Sequence, residues 1–220
     1  MKQYSPQSVR QIAKKMGVTS YIPAVPAICL GSPDISLYEM VGAMNTFANK
    51  GIYIEPIFIT KIEDKFGNII DKFSPKQTEA MSEETAYLMA DMMKGVTQYG
   101  TGIRLRLTYG FTNPIAGKTG TTQNQSDGWF MGVTPDLTSG IWTGCEDRAA
   151  HFRTITLGQG ANMALPIWAL YMKKVYADST LRYSMGDFEP PLKELSVEID
   201  CEAYENNHKE IIEFEEIDEF

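Results

Sequence analysis

The stretch 116–122 constrains the fold of this chain more than any other. Its sequence, Ala-Gly-Lys-Thr-Gly-Thr-Thr, places a lysine, two glycines and three threonines within seven residues. The pattern is typical of a β-strand, in which Lys118 and Gly120 lie on one face while Thr119 and Thr121 lie on the other. We therefore predict a strand that offers an ammonium group, hydroxyls and free backbone groups together.

A phosphate-binding loop is the first alternative for this stretch. Gly117-Lys118-Thr119 matches the end of such a loop, but the glycine required five residues before Gly117 is replaced by Thr112. The lysine of a phosphate loop also opens a helix, and residues 120–125 contain a glycine and two β-branched threonines where the first helical turn would form. The sequence therefore argues against a nucleotide-binding site.

Acidic residues are concentrated at the C-terminal end of the chain. The net charge is −8, and residues 194–220 contain eleven acidic residues against one lysine, so the preceding part is near neutral. That part lacks the basic surface that nucleic-acid binding requires. Apolar residues interleave with the terminal acids at Ile211, Ile212, Phe214, Ile217 and Phe220. We predict a domain over residues 1–191 and a solvated acidic tail over 192–220, with a docking peptide for a basic partner as the alternative.

Membrane and metal sites are not expected. The apolar runs stay well short of the roughly 20 residues that a membrane-spanning helix needs. The cysteines and histidines are scattered, without the spacing of metal ligands, at Cys29, Cys145, Cys201, His151 and His208. We therefore expect free thiols, no metal, no cofactor and no membrane segment in this chain.

Hydrophobic periodicity of 3.6 residues predicts four helices. Three begin after the N-cap candidates Ser5, Ser36 and Ser82, and Ser36 is followed by Glu39 in the spacing of a capping box. The fourth is expected over Ala164 to Ala177, with Pro166 in its first turn. The expected inward-facing residues include Val9, Ile12, Ala13 and Met16 in the first helix, Leu88, Met89, Met92, Met93 and Val96 in the third, and Leu165, Trp168, Ala169, Met172 and Tyr176 in the fourth.

Alternating residues predict the strands. Ile57–Ile62 and Ile69–Phe73 are expected to form a β-hairpin. Gly128–Val133 and Ser139–Cys145 are expected to lie beside the 116–122 strand as a three-stranded antiparallel sheet. Arg104 and Arg106, between the third helix and this sheet, are predicted to be surface charges. The elements together predict an α+β fold, an antiparallel sheet covered by helices.

Four further motifs surround the lysine strand in a specific order. They are Gly100-Thr101-Gly102, Asp127-Gly128-Trp129-Phe130-Met131-Gly132, Gly158-Gln159-Gly160-Ala161 and Ala164-Leu165-Pro166-Ile167-Trp168. In this order and spacing, residues from about Ser5 to about Pro191 resemble the second half of the transpeptidase domain of bifunctional, class A penicillin-binding proteins. The resemblance implies a β-lactamase/transpeptidase-like fold, incomplete because the N-terminal strands and the nucleophile helix are missing.

The resemblance also implies roles for the lysine strand. Lys118 supplies positive charge near the substrate carboxylate and assists proton movement. Thr119 and Thr121 are similar to the hydroxyls that bind this carboxylate, Thr122 is expected to bind the substrate with them, and the Thr121 N–H is similar to one half of the oxyanion hole. Gly120 leaves room for the substrate beside the backbone. The expected ligands are peptidoglycan stem peptides and β-lactam antibiotics.

The nucleophile of that family is missing from this sequence. The family uses Ser-x-x-Lys for the nucleophile and its base and Ser-x-Asn for proton relay. None of the serines has a lysine three residues on or an asparagine two residues on: Ser5, Ser8, Ser20, Ser32, Ser36, Ser74, Ser82, Ser126, Ser139, Ser179, Ser184 and Ser196. We therefore expect this chain alone to be inactive, with the strand around Ile141 left as an open sheet edge.

Two hypotheses of function follow. In the first, the chain is part of a bifunctional cell-wall synthase at the periplasmic face of the bacterial inner membrane, and its partner is the missing N-terminal half of the transpeptidase domain. In the second, it is an inactive module that binds stem peptides or a protein partner. A β-lactamase or β-lactam sensor shares the lysine strand, but the Gly158-Gln159-Gly160-Ala161 motif is more similar to the synthases.

Overall fold

Serine N-caps set the beginnings of three helices. The side-chain oxygens of Ser5, Ser36 and Ser82 each accept a hydrogen bond from the backbone N–H three residues on, at 3.2 Å. These caps start helices α1 (Pro6–Lys15), α2 (Leu37–Ala48) and α3 (Glu83–Gln98). The capping box of Ser36 and Glu39 is complete. The predicted starts of these helices are therefore confirmed in the computed structural model, which describes residues 3–206.

Within residues 3–189, the other elements form two small ribbons, one sheet and three further helices. They are β1 (Ile52–Ile54), β2 (Lys61–Glu63), β3 (Ile69–Lys72), β4 (Gln77–Glu79), α4 (Arg104–Leu107), β5 (Ala116–Thr121), β6 (Asp127–Val133), β7 (Thr138–Gly144), α5 (Ile155–Gly158) and α6 (Gly160–Ala177). Short 3₁₀ turns lie at Pro26–Leu30 and Gln123–Gln125. The predicted α+β fold is confirmed.

The main sheet has the antiparallel order β5-β6-β7. Thr119 of β5 lies opposite Phe130 of β6, which lies opposite Ile141 of β7. β5 and β7 are the two terminal strands within the described residues, so the open edge expected near Ile141 is present. The ribbons β1-β4 and β2-β3 are separate from this sheet, and the first of them was not predicted.

Each face of the main sheet is covered by helices. Phe130 points to one side, where it joins Leu165, Trp168 and Met172 of α6 in one buried cluster. Met131 points to the other side and packs in a second cluster with residues of α2 and α3. This alternation is the period-2 pattern of a strand buried on both faces.

The inward face of α3 was predicted correctly at Met93 but wrongly at Met92. Met92 is 63% exposed, while the buried positions include Ala86, Ala90, Met93 and Thr97. Their spacing of four, three and four residues follows one helical stripe. Alanines lie on this stripe because α3 packs closely against β5, so the larger methionine is displaced to the rim.

Two other helices differ from their predicted form. Val9 and Ile12 of α1 were predicted to face inward but are 39% and 49% exposed. Among the predicted inward residues of this helix, only Met16, its C-cap, is buried. α6 begins at Gly160, four residues before the predicted start, so Pro166 lies inside the helix rather than in its first turn. Val175 is buried in α6, and Tyr176 is only partly buried.

The hairpin and one arginine also depart from prediction. The hairpin pairs a shorter length than predicted, β2 with β3. Phe58, which precedes it, is 87% exposed. Arg106 is not a free surface charge: it is half-buried and donates to the backbone oxygens of Phe111 and Asn113. Burial lowers the pKa of its guanidinium from the ordinary value.

The chain divides into two compact units, Met1–Glu189 and Pro190–Phe220. The first contains every element named above. The second is described to residue 206 and has a helical stretch at 201–206. His208 and the apolar residues predicted to interleave with the terminal acids lie outside the described residues. Among those that the structure describes, no helix combines the length and apolarity of a membrane span, and no cluster of three metal-ligating side chains occurs.

The carboxylate of Glu39 joins the α1–α2 connection to the first turn of α2. It accepts hydrogen bonds from the backbone and hydroxyl groups of Thr19, Ser20 and Ser36 at 2.7–3.1 Å. Burial alone would raise the pKa of Glu39, but the hydrogen bonds from Ser20, Ser36 and Thr19 outweigh it and hold the pKa well below its ordinary 4.5.

Replacing Glu39 with glutamine should lower the free energy of unfolding at pH 7 by about 2 kcal/mol, because the charge-assisted bonds are lost. The folded-state pKa is depressed, so this stabilisation is present above pH 4.5 and is lost as the pH falls below it. Urea unfolding at pH 7 and pH 3 measures both effects. Glu79→Gln, at an exposed position of β4, is the control. A Glu39→Gln deficit that is equally large at pH 3 would contradict the explanation.

Candidate active site

Strand β5 carries the predicted site at the terminal edge of the sheet. The N–H of Thr122 donates to the backbone oxygen of Asp127 at 3.2 Å, towards β6. Because backbone groups alternate in direction along an antiparallel strand, the N–H groups of Thr119 and Thr121 point to the other edge. That edge has no strand partner among the described residues. It can therefore receive an extended ligand and present the Thr121 N–H to it.

Lys118 lies on the exposed part of this strand, opposite Met131. Its Nζ donates to the backbone oxygen of Thr119 at 2.9 Å. An ammonium group has three N–H donors, so this single bond leaves two for a ligand. The ammonium group is thus held near the open edge of β5.

The hydroxyls of Thr119 and Thr121 lie on the opposite face from Lys118, as predicted by the alternation. Thr119 Oγ1 lies 2.7 Å from Thr101 Oγ1, and either oxygen can be the donor. Thr121 Oγ1 accepts from the N–H of Gly160 at 2.9 Å, at the first residue of α6. In each case the threonine hydroxyl keeps a proton or a lone pair for a ligand.

Thr122 is placed differently from its two neighbours. Its Oγ1 lies 2.9 Å from Ser126 Oγ and accepts from the N–H of Asp127 at 3.0 Å. Both contacts lie within the connection between β5 and β6. In this connection Asn124 and Gln125 adopt left-handed φ angles of 57° and 55°. The observed role of the Thr122 hydroxyl is to close this turn.

Glycines allow α6 to approach the lysine strand. A Cβ on Gly160 would lie 2.2 Å from the backbone oxygen of Gly120 and 2.6 Å from that of Trp129. A Cβ on Gly120 would lie 3.1 Å from the Cβ of Trp129. The N-terminus of α6 therefore abuts β5 beside Thr121, and its partial positive charge favours an anion there.

The sequence pattern did not identify two residues beside this site. Thr101 was noted only within its glycine motif, although its hydroxyl contacts Thr119. Arg104 is exposed, as predicted, and its guanidinium donates to the side-chain oxygen of Asn162 in the first turn of α6. Both contacts join segments far apart in sequence, so no local periodicity reports them. Along β5 the site combines the Lys118 ammonium, three threonine hydroxyls and a helix N-terminus, which suits a ligand with a carboxylate.

Comparisons with known proteins identify the family of this chain. The sequence model described as the penicillin binding protein transpeptidase domain matches residues 26–143. Penicillin-binding protein 1A of Aquifex aeolicus is 31% identical over 191 residues, which cover 87% of this chain and 25% of that protein. Penicillin-binding protein 2D of Bacillus subtilis is 31% identical over 196 residues, 87% of this chain and 27% of that protein. The chain thus spans about a quarter of the length of these relatives.

Solved structures share the fold. Penicillin-binding protein 1A from Haemophilus influenzae superposes with a TM-score of 0.66 at 23% identity, covering 84% of this chain and 31% of that chain. The PonA1 protein from Mycobacterium tuberculosis in complex with penicillin V also gives 0.66, at 25% identity, covering 86% of this chain and 54% of that chain. The fold is that of a transpeptidase domain. The chain belongs to the penicillin-binding protein transpeptidase family, as a C-terminal part of such a domain from the class A group.

Proposed function

We propose that this chain forms the carboxylate-binding and oxyanion side of a peptidoglycan D,D-transpeptidase site that β-lactams also occupy. The observation that carries the proposal is the open edge of β5, where the Lys118 ammonium, the Thr119 and Thr121 hydroxyls and the outward Thr121 N–H occur together. The parent protein is a bifunctional cell-wall synthase at the periplasmic face of the inner membrane. Residues 1–191 are its transpeptidase part and 192–220 an acidic tail.

The proposed reaction is acyl transfer through a serine. The serine oxygen attacks the carbonyl between two D-alanines of a stem peptide, the C–N bond breaks, and the leaving D-alanine takes a proton on its amine. An amine of a second stem then attacks the ester, releases the serine and forms the cross-link. A β-lactam follows only the first half, because its opened ring stays attached.

Each residue of β5 has a part in this reaction. The Thr121 N–H donates to the oxyanion of the tetrahedral intermediate, where one such donor is worth on the order of 3 kcal/mol. Lys118 attracts the terminal carboxylate and moves a proton between the serine and the leaving amine. The hydroxyl groups of Thr119 and Thr121 donate hydrogen bonds to the carboxylate. Gly120 keeps the edge clear of a side chain, so that the stem peptide can lie along it.

The nucleophile in this proposal comes from the preceding part of the transpeptidase domain. The open edge of β7 supplies backbone groups that further strands of the sheet can pair with. On α6, Ile167, Leu170 and Tyr171 are 48%, 57% and 42% exposed and lie at the spacing of one helical face. This apolar face and this edge are the surfaces that we assign to the missing half.

Covalent labelling by a fluorescent penicillin tests the proposal. We expect the full-length natural protein to be labelled and an excess of unlabelled penicillin to prevent it. The 220-residue chain alone should remain unlabelled, because no serine in it has the nucleophile spacing. Labelling of the chain alone would refute the assignment of the nucleophile to another segment, and an unlabelled full-length protein would refute the transpeptidase.

The absence of Ser-x-x-Lys from the sequence also favours a second candidate, an inactive module that binds stem peptides. Calorimetric titration of the 220-residue chain with a stem pentapeptide ending in D-Ala-D-Ala measures this directly. Binding that weakens in Thr121→Val would support the module. No measurable binding by the unmodified chain would exclude it.

A further inference from the structure

Two threonines, one in the last turn of α3 and one just beyond it, form hydrogen bonds with the β5 segment. Thr97 Oγ1 donates to the backbone oxygen of Ile115 at 2.6 Å, and Thr101 Oγ1 lies 2.7 Å from Thr119 Oγ1. The two residues of each pair are 18 positions apart, so the segment 97–101 runs alongside the segment 115–119. The first contact is buried and holds the beginning of β5. The second is exposed and lies at the proposed substrate edge.

Two glycines bring Thr101 to this place. Their N–H groups donate back to the last turns of α3, from Gly100 to Gly95 at 3.1 Å and from Gly102 to Val96 at 2.8 Å. A Cβ on Gly100 would lie 2.9 Å from the Cα of Val96, and a Cβ on Gly102 would lie 3.1 Å from the Val96 oxygen. Glycine, which has no Cβ, therefore suits the positions before and after Thr101 in this tight turn. The motif therefore presents the Thr101 side chain across to β5.

We propose that Thr101 is a positioning residue for carboxylate-bearing acyl donors, acting through the Thr119 hydroxyl; this rests on the proposed transpeptidase function. A hydroxyl has one proton and two lone pairs. When the Thr119 hydroxyl donates its hydrogen bond to a substrate carboxylate, it can only accept in the short contact with Thr101. The Thr101 hydroxyl must then be the donor of that contact. Thr101 thereby fixes both the rotamer of Thr119 and the direction of its O–H bond.

The proposal predicts a defect that depends on the ligand's carboxylate. In the full-length protein, Thr101→Val should lower the second-order rate of acylation by a penicillin roughly tenfold, the size expected for one hydrogen bond. The same variant should change acylation by the corresponding methyl ester less than about twofold, because the ester offers no carboxylate to the Thr119 hydroxyl. Thr101→Ser keeps the hydroxyl and should restore most of the rate. Thr108→Val, at the exposed C-cap of α4, is the matched control.

The outcomes separate the alternatives. Equal losses with the penicillin and its ester, no loss with either, or no recovery in Thr101→Ser would each overturn the role of Thr101. If the wild-type protein is acylated by neither compound, the proposed function fails and the role of Thr101 fails with it. Normal wild-type acylation with equal losses leaves the transpeptidase standing and removes only Thr101 from its site.

Discussion

Replacing Lys118 with alanine in the full-length protein should lower the rate of acylation by penicillin roughly a hundredfold or more. In the proposed mechanism, the substitution removes both a positive charge and a proton carrier from the open edge of β5. In the structure the ammonium group contacts only the neighbouring backbone oxygen of Thr119 among the described residues, so its loss should cost little stability. Stopped-flow acylation with a fluorescent penicillin gives the rate, and thermal unfolding checks the fold.

Arginine at the same position separates the two roles of the lysine. Lys118→Arg keeps the positive charge but cannot release a proton near neutral pH. We expect it to retain most of the affinity for the carboxylate while the acylation step stays slow. Lys15→Ala, at an exposed position of α1, is the control for loss of a lysine. Full acylation activity in Lys118→Ala would remove Lys118 from the proposed mechanism.

Local sequence signals predicted the elements that carry the site. The N-caps of three helices depend on a serine and the next three residues, and the three-stranded sheet depends on alternation within each strand. Such interactions are short in sequence and are therefore visible in it. Lys118, Thr119 and Thr121 could be placed on opposite faces of one strand by the same argument.

Contacts between distant segments were not visible in this way. The close approach of α3 to β5 determines which residues of the helix are buried. Small side chains fit there, so Ala86 and Ala90 are buried and Met92 is exposed. The start of α6 depends on the Gly160 N–H meeting the Thr121 hydroxyl, 39 residues away. The contact of Thr101 with Thr119 likewise joins residues 18 positions apart. Each of these results comes from tertiary packing, which overrides local propensity.

The largest expected loss of stability is at Trp168. This side chain is fully buried, its ring centroid lies 5.1 Å from that of Phe130 and 6.1 Å from that of Phe111, and its Nε1 donates to Ser139 Oγ at 2.8 Å. Trp168→Ala should lower the free energy of unfolding by about 4 kcal/mol, because it opens a cavity between α6 and the sheet and leaves the Ser139 hydroxyl without its donor. Urea unfolding measures the loss. Trp142→Ala, at a 41% exposed position of β7, should cost no more than about 1 kcal/mol.

A second substitution tests whether packing against the sheet is the cause. A Cβ on Gly132 would lie 2.2 Å from Cζ2 of the Trp168 ring, so Gly132→Ala alone should cost about 2 kcal/mol through overpacking. In Trp168→Ala the ring is absent and the added methyl meets empty space. The double variant should therefore be at least about 1 kcal/mol more stable than the sum of the two single losses predicts. Strict additivity would show that the two residues act independently, and α6 would then be held to β6 by other contacts.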